Sequence, residues 1–213
     1  MARATLLDVD GTLVDTNYHH ALAWARALAR CDLRPPLWRI HRAIGMGGDH
    51  LVAALCGDEA EEQHGDAVRE AEKELYGELI GEVRPLRGAR ELIVALRDAG
   101  KTVVLASSAK PEEVAHYVEL LDAGDLVDGI TDAGDVDQTK PDPDIVCGAL
   151  ECAGVSPDEA IFVGDSRWDC EAAARAEVAC VAVMTGGFGA DELTGAGAAE
   201  VFEDLAALAR YLT

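Results

Sequence analysis

The chain has 213 residues, 49% hydrophobic and 27% charged, enough for one sizeable core with room for a small insertion, and the composition excludes a disordered chain. Its net charge of −22, from 40 acidic and 18 basic residues, repels phosphate backbones and anionic membranes, so neither nucleic acid nor membrane is an expected partner. No apolar run approaches the roughly 20 residues that span a bilayer. "MARA" leads straight into a strand-like run, unlike a signal peptide. The six cysteines are scattered without a C-x-x-C pair and read as reduced thiols, so a cytoplasmic protein is expected. The acidic balance would also serve a salty cytoplasm, which charge alone does not establish.

The first element is "ATLLDVD" (4–10), an apolar strand-like run that ends in Asp8 and Asp10. Alternation with period two turns both carboxylates to one crevice if the strand continues that far, and Gly11 then permits an abrupt turn. A buried unpaired charge costs several kcal/mol or more, so the pair needs a cation, a partner or water. Three readings stand at this point: a turn cap at "DG", a structural ion site, or a catalytic pair.

Residues 16–81 then read as helical throughout, in "HHALAWARALAR", "RIHRAIGMGGDHLVAAL" and "EEQHGDAVREAEKELYGEL". They form an expected insertion, a helical cap domain, between two parts of a core at 1–15 and 82–213. Within it "IGMGGDHL" (44–51) interrupts the periodicity with three glycines, either as a loop dipping towards the site or as an ordinary turn. The adjacent His19 and His20 point about 100° apart on a helix, so they cannot clamp one metal. Either His20 faces the cleft and His19 solvent, or both are exposed.

"RPLRG" (84–88) is a candidate hinge. After it, helical and strand-like runs alternate: "GARELIVALRDAG" (88–100), "KTVVLASS" (101–108), "PDIVCGALECAG" (143–154), "AIFVGDS" (160–166), "CEAAARAE" (170–177), "VACVAVMTGG" (178–187) and a weaker strand, "EVFED" (200–204). Gly100 and Gly154 stand where two of the helices should stop. The expected class is therefore α/β, a three-layer Rossmann-like parallel sheet with an inserted helical cap. Such sheets bind ligands beyond the carboxyl ends of their strands. Those ends carry Asp8 and Asp10; Ser107 and Ser108; Gly164, Asp165 and Ser166; and Thr185, Gly186 and Gly187. A purely structural sheet has no need of that coincidence.

Asp165 and Asp169 add acidic partners, and a hard cation such as Mg²⁺ takes carboxylate oxygens while keeping several waters. Lys140 is one of only four lysines; alone it would read as a surface residue, but Pro141 fixes the turn beside it. Ser107-x-x-Lys110 matches a serine β-lactamase spacing without the partner motifs. "DAGDVDQTKPD" lacks the spaced Gly and terminal Glu of an EF-hand. Both are set aside.

Four of these stretches together resemble the haloacid dehalogenase superfamily, in its helical-cap phosphatase subgroup: "DVDGTLVDT", "VVLASS", "TKPDPDI" and "VGDSRWD", in family order. The resemblance implies Asp8 as nucleophile, Asp10 as acid and then base, Ser107 bound to a phosphoryl oxygen, and Lys140 neutralising charge. It implies Mg²⁺ held by Asp8, the Asp10 main-chain carbonyl and Asp165, with Asp169 in support. Gly11, Thr12, Ser108, His20 and Gly47 are the expected substrate contacts. Asp10 favours phosphate esters over dehalogenation, which lacks an Asp there. The implied activity is hydrolysis of a small phosphorylated metabolite, phosphoglycolate or a sugar phosphate first. "YHHALAW" also resembles a β-phosphoglucomutase. Against a mutase stand the absence of Lys or Arg between Arg42 and Arg69, and Gly164 before Asp165 where mutases resemble Glu-Asp. A non-catalytic binding module on the same fold is the rival of another class, and none of the motifs is degenerate. The oligomeric state is not readable.

Overall fold

Each apolar run is followed by a helix that returns the chain to the same edge, so the runs pair as parallel strands. A computed structural model describes residues 2–213; Met1, the first residue of "MARA", lies outside the described residues. Among the described residues the sheet has six strands: β1 (Ala4–Leu7), β2 (Thr102–Ala106), β3 (Gly129–Thr131), β4 (Ala160–Gly164), β5 (Ala179–Val183) and β6 (Glu200–Phe202). Their order is β3-β2-β1-β4-β5-β6, all parallel. The winding reverses between β1 and β4, and the crevice at such a reversal is where doubly wound sheets hold ligands.

Period-two alternation divides the core between the two faces. Leu7, Leu105, Val163 and Val181 point to one side, where α5 (Ala89–Asp98) and α10 (Leu205–Leu212) cover them. Leu6, Val104, Phe162 and Ala182 point to the other, under α7 (Asp144–Ala153) and α8 (Arg167–Arg175). Phe162 is wholly buried, and its ring centroid lies 5.4 Å below Lys140 Nζ. Phe162→Ala would cost about 3–5 kcal/mol, and the void would open directly beneath that lysine.

The helices after β1 are α1 (Asn17–Arg30), α2 (Leu37–Ala43), α3 (Gly48–Cys56) and α4 (Asp58–Leu79); the later ones include α6 (Pro111–Leu120) and α9 (Ala190–Gly195). α4 buries Val68, Ala71, Glu72, Leu75 and Tyr76, a stripe at helical spacing that packs along α1. The chain leaves and re-enters the sheet region side by side, since Leu86 N donates to Leu13 O (2.9 Å) and Asp15 N to Arg84 O (3.0 Å). "RPLRG" lies at that crossing. No described helix is long and apolar enough to cross a membrane.

Three expectations need correction. Strand β1 stops at Leu7, not Asp10, because Leu13 N and Val14 N both turn back to Val9 O. The strand β3 was not foreseen: three residues between aspartates carry too short an apolar signal. And α8 begins at Arg167, three residues early, because Ser166 caps it.

Candidate active site

The floor of the site is laid by the turns after β1 and β4. Beyond Leu7 only one further ladder bond forms, Asp8 N to Val163 O (2.9 Å), and the chain then coils through Val9 to Val14. Asp8 and Asp10 do line one cavity, through this turn and not through strand alternation. Gly11 sits at φ +78°, where a Cβ would strike Asn17 and the Asp165 carboxylate, so glycine is required. Its carbonyl accepts from Thr185 Oγ1 (2.6 Å), which ties the end of β5 to the same turn.

At the start of α8, Ser166 N and Oγ donate to Asp169 Oδ2 (3.0 and 2.6 Å), the reciprocal cap expected at a helix N-terminus. This pins the Asp169 carboxylate with Oδ1 free to accept from Lys140 Nζ at 2.8 Å. Lys140 Nζ also donates to Asp8 Oδ1 (2.5 Å), and the lysine is only 1% exposed. Thr12, fully buried, donates to Asp8 Oδ2 at 2.7 Å with Asp165 Oδ1 at 3.1 Å on its other side. Asn17 Nδ2 donates to Asp165 Oδ2 (2.9 Å).

The floor therefore has an unbalanced charge. Asp8, Asp165 and Asp169 bring ligating oxygens within 4.8 Å of one another, and among the described residues Lys140 is the one cation that faces them. Burial first, and then the charge of Asp169, push Asp8 up to about 7 against the pull of Lys140. Burial and the charges of Asp169 and Asp8 hold Asp165 well above the usual carboxylate range, with Asn17 opposing. Burial disfavours the Lys140 ammonium, but Asp169 and Asp8 outweigh it and raise its pKa. One ammonium shared by two carboxylates stays charged without satisfying either. All six carboxylate oxygens accept hydrogen bonds, but the Asp165 pair is held only by the neutral Thr12 and Asn17, whereas Asp169 is tied to Lys140 and to the cap of α8; Asp8 and Asp165 are hard donors of the kind Mg²⁺ takes.

A second row of charge forms the wall. His20 Nε2 stands 3.4 Å from Asp10 Oδ1, which has no aligned donor among the described residues, and Nδ1 stands 3.2 Å from Glu72 Oε1. Lys110 Nζ lies 3.3 Å from Glu72 and 3.6 Å from Glu113. Burial pulls His20 down, but Asp10 and Glu72 outweigh it and raise it to about 10, so it is an imidazolium at neutral pH. Burial would lift Asp10, yet His20 and the Thr16 hydroxyl hold it below the usual carboxylate range. Behind this row His20 stacks on Tyr76 (3.7 Å), whose hydroxyl meets Tyr117 at 2.5 Å.

Between floor and wall lies a cavity of about 290 Å³. Asp8, Asp10, His20, Ser108 and Lys140 line it; Ser107, Thr12, Gly11 and Gly47 do not, and Asp165 and Asp169 lie buried behind the lining. Ser107 Oγ donates to Asp10 Oδ2 (3.2 Å) and accepts from Ala109 N (3.0 Å), while Ser108 Oγ accepts from Lys140 N (3.3 Å). His19 is half-buried, not turned fully to solvent. The loop at 44–51 does reach the cavity, through Ile44, Gly45, Met46, Gly48 and Asp49. Glu72 and Asn17 escaped sequence reasoning, and Lys110 entered it only through the serine spacing that is set aside. Glu72 had a readable signal: a carboxylate within the buried stripe of α4, between Val68 and Tyr76. All six cysteines are free thiols.

The haloacid dehalogenase-like hydrolase family matches residues 2–177. A protein named phosphoglycolate phosphatase from Rhodospirillum rubrum is 32% identical, with all of this chain and 91% of that protein covered. One of the same name from Pseudomonas putida is 31% identical over 193 residues, 87% of this chain and 71% of that protein. Among solved structures, a hydrolase from Pseudomonas syringae is 31% identical with a TM-score of 0.92, covering 98% of this chain and 97% of that one.

Proposed function

The chain belongs to the haloacid dehalogenase-like hydrolase family, and we propose that it is a Mg²⁺-dependent phosphatase of small phosphorylated metabolites, working through an aspartyl-phosphate on Asp8. The observation that carries this reading is the floor itself, where one lysine faces three buried carboxylates. Asp8, Asp165 and the Asp10 main-chain carbonyl would hold Mg²⁺, which when bound offsets their charge and polarises a phosphoryl oxygen.

The chain's own groups then divide the work. Asp8, oriented by Thr12 and Lys140, attacks phosphorus. Lys140 and Ser108 line the cavity where negative charge on the phosphoryl oxygens must be met. Asp10 is held ionised beside the His20 imidazolium, so the proton passes from His20 Nε2 to the Asp10 carboxylate and from there to the leaving oxygen as its bond to phosphorus breaks, leaving His20 neutral. Once the leaving group departs, the Asp10 carboxylate takes a proton from water, which hydrolyses the acyl phosphate. Residues 16–81 act as the lid, excluding water from a site whose catalytic part is 1–15 and 82–213.

Three supports narrow the substrate. The cavity has room for a small metabolite, and the relatives described above carry the name phosphoglycolate phosphatase. Two of the three Lys110 protons face Glu72 and Glu113, leaving one for an oxygen of the substrate's organic part. Hydrolysis is favoured over mutase chemistry by the state of the cationic lining. Arg69 is occupied by Asp66 (2.8 Å), Glu61 (2.8 Å) and Gly48 O (3.2 Å), so it is not waiting for a second phosphate.

The test is turnover of p-nitrophenyl phosphate and a panel including phosphoglycolate and the hexose phosphates, with Mg²⁺. Wild type is expected to release phosphate and Asp8→Asn to be inactive. Equal rates in the two, or interconversion of hexose 1- and 6-phosphates without net phosphate release, would overturn the reading.

A further inference from the structure

We propose that Asp49, at the start of α3, is a positioning residue: it clasps the loop that carries Lys140 and thereby sets that ammonium against Asp8 when the helical lid rests on the sheet. The role rests on the phosphatase reading above for its catalytic consequence, while the clasp itself stands on geometry.

The Asp49 carboxylate accepts from Thr139 N (3.1 Å) through Oδ2 and from the Thr139 hydroxyl through Oδ1. Two residues earlier, Gly47 N donates to Lys140 O (3.0 Å). The approach is so close that a Cβ at Gly47 would overlap Thr139 Oγ1. On the other side Lys140 N donates to Ser108 Oγ (3.3 Å). The peptide groups around Lys140 are thus held from the lid through Gly47 and Asp49, and from the sheet through Ser108. His50 Nε2 lies along the same seam, 3.2 Å from Asp142 Oδ2.

Little else fixes this stretch. Residues 132–142 form no helix or strand. The other anchors of residues 137–142 are rim contacts: Gln138 N to Asp144 (3.3 Å) and Arg175 to Asp142 (3.0 Å), both exposed. Yet the Lys140 ammonium must meet two carboxylates at hydrogen-bond distance. Apart from the ion pairs of that ammonium itself, a charged acceptor with two donors from one residue is the strongest tether on the loop. Its side chain is 39% exposed at the cavity edge, so removing it leaves the core packing untouched.

The experiment compares wild type, Asp49→Ala, Thr139→Val, Thr139→Ser and the double variant Asp49→Ala/Thr139→Val in the full chain. Two readouts are taken: hydrogen exchange of the peptide spanning 137–142, and steady-state hydrolysis of p-nitrophenyl phosphate with Mg²⁺. Asp49→Ala should speed exchange of that peptide about tenfold or more, with β1 and β4 unchanged. It should lower kcat about tenfold with KM within about twofold. Thr139→Val should do part of this, Thr139→Ser almost none of it, and the double variant no more than Asp49→Ala alone. Wild-type exchange in Asp49→Ala would overturn the clasp, as would losses that add in the double variant. Because exchange needs no turnover, an inactive wild type would count against the phosphatase reading and leave the clasp to be decided by exchange.

Discussion

At and beneath the floor of the cavity Lys140 is the one cation among the described residues that faces Asp8, Asp165 and Asp169; along the wall His20, Glu72, Lys110 and Glu113 alternate in sign at 3.2 to 3.6 Å. Both are buried or half-buried charge in a chain of net charge −22. The wall is compensated by its own residues, whereas the floor is left short of positive charge. A compensated row can be rigid and selective without a ligand, while an uncompensated cluster is built around something that arrives. On the proposed reading the floor is the place for metal and phosphoryl group, and the wall the place that positions protons and the rest of the substrate.

Substitutions at the floor should therefore have the largest effects. Asp8→Asn is expected to lower kcat by at least about 10³-fold, and Lys140→Met by about 10²–10³-fold, both read from steady-state rates on p-nitrophenyl phosphate. Comparable losses from Glu72→Gln or Lys110→Met would erase the distinction between the regions.

Next comes the metal. Chelation should abolish turnover, and Mg²⁺ at about 100 times its Kd should stabilise the protein by about 2.7 kcal/mol, or roughly 5–10 °C in Tm. Asp165→Asn should raise the Tm of the chelated protein at alkaline pH, where the Asp165 carboxylate is ionised against Asp8 and Asp169, with the gain fading as pH falls, and it should lose the Mg²⁺-dependent rise. A drop in the chelated variant's Tm would mean the floor is balanced after all.

The wall should respond through pH. His20 is raised from 6.5 to about 10 in the folded protein, so its contribution to stability is complete below pH 6.5 and is lost as pH climbs through about 10. The Tm difference between wild type and His20→Gln should therefore shrink steadily across that window in chelated protein. A constant difference would show that His20 carries no charge there. The smallest effect belongs to Arg69→Met at the partly exposed edge, where ion pairs with Glu61 and Asp66 are worth about 0–1 kcal/mol. KM should move by less than about threefold.

How far the site was legible follows the same division. Asp8, Asp10, Ser107 and Asp165 stood out as polar or acidic residues at the ends of apolar runs, which are visible in the sequence, and Lys140 through the turn at Pro141 and the family resemblance; Asp8, Asp10 and Lys140 line the cavity, while Ser107 and Asp165 lie behind its lining. The alternation also yielded the α/β class, but not β3, whose three residues between aspartates have no period to detect. Beyond His20, the wall was illegible for a different reason. His20 and Glu72 lie 52 residues apart, Glu72 and Lys110 lie 38 apart, and only the packing of α4 on α1 and beside α6 brings them together. Thr12 and Ser107 were recognised as important residues, yet their partners are the carboxylates Asp8 and Asp10, an arrangement that depends on the turn after Leu7.

The central claim is that Asp8 takes the phosphoryl group and Asp10 moves the protons. p-Nitrophenol is a good enough leaving group to depart without an acid, so Asp10→Asn should still be phosphorylated but should hydrolyse the product slowly. Mixed with p-nitrophenyl phosphate and Mg²⁺, that variant should release a burst of about one p-nitrophenol per chain, and after acid quench its peptide containing Asp8 should carry one added phosphoryl group by mass. No burst together with an unmodified Asp8 peptide, or a phosphoryl group on any other residue, would contradict the account.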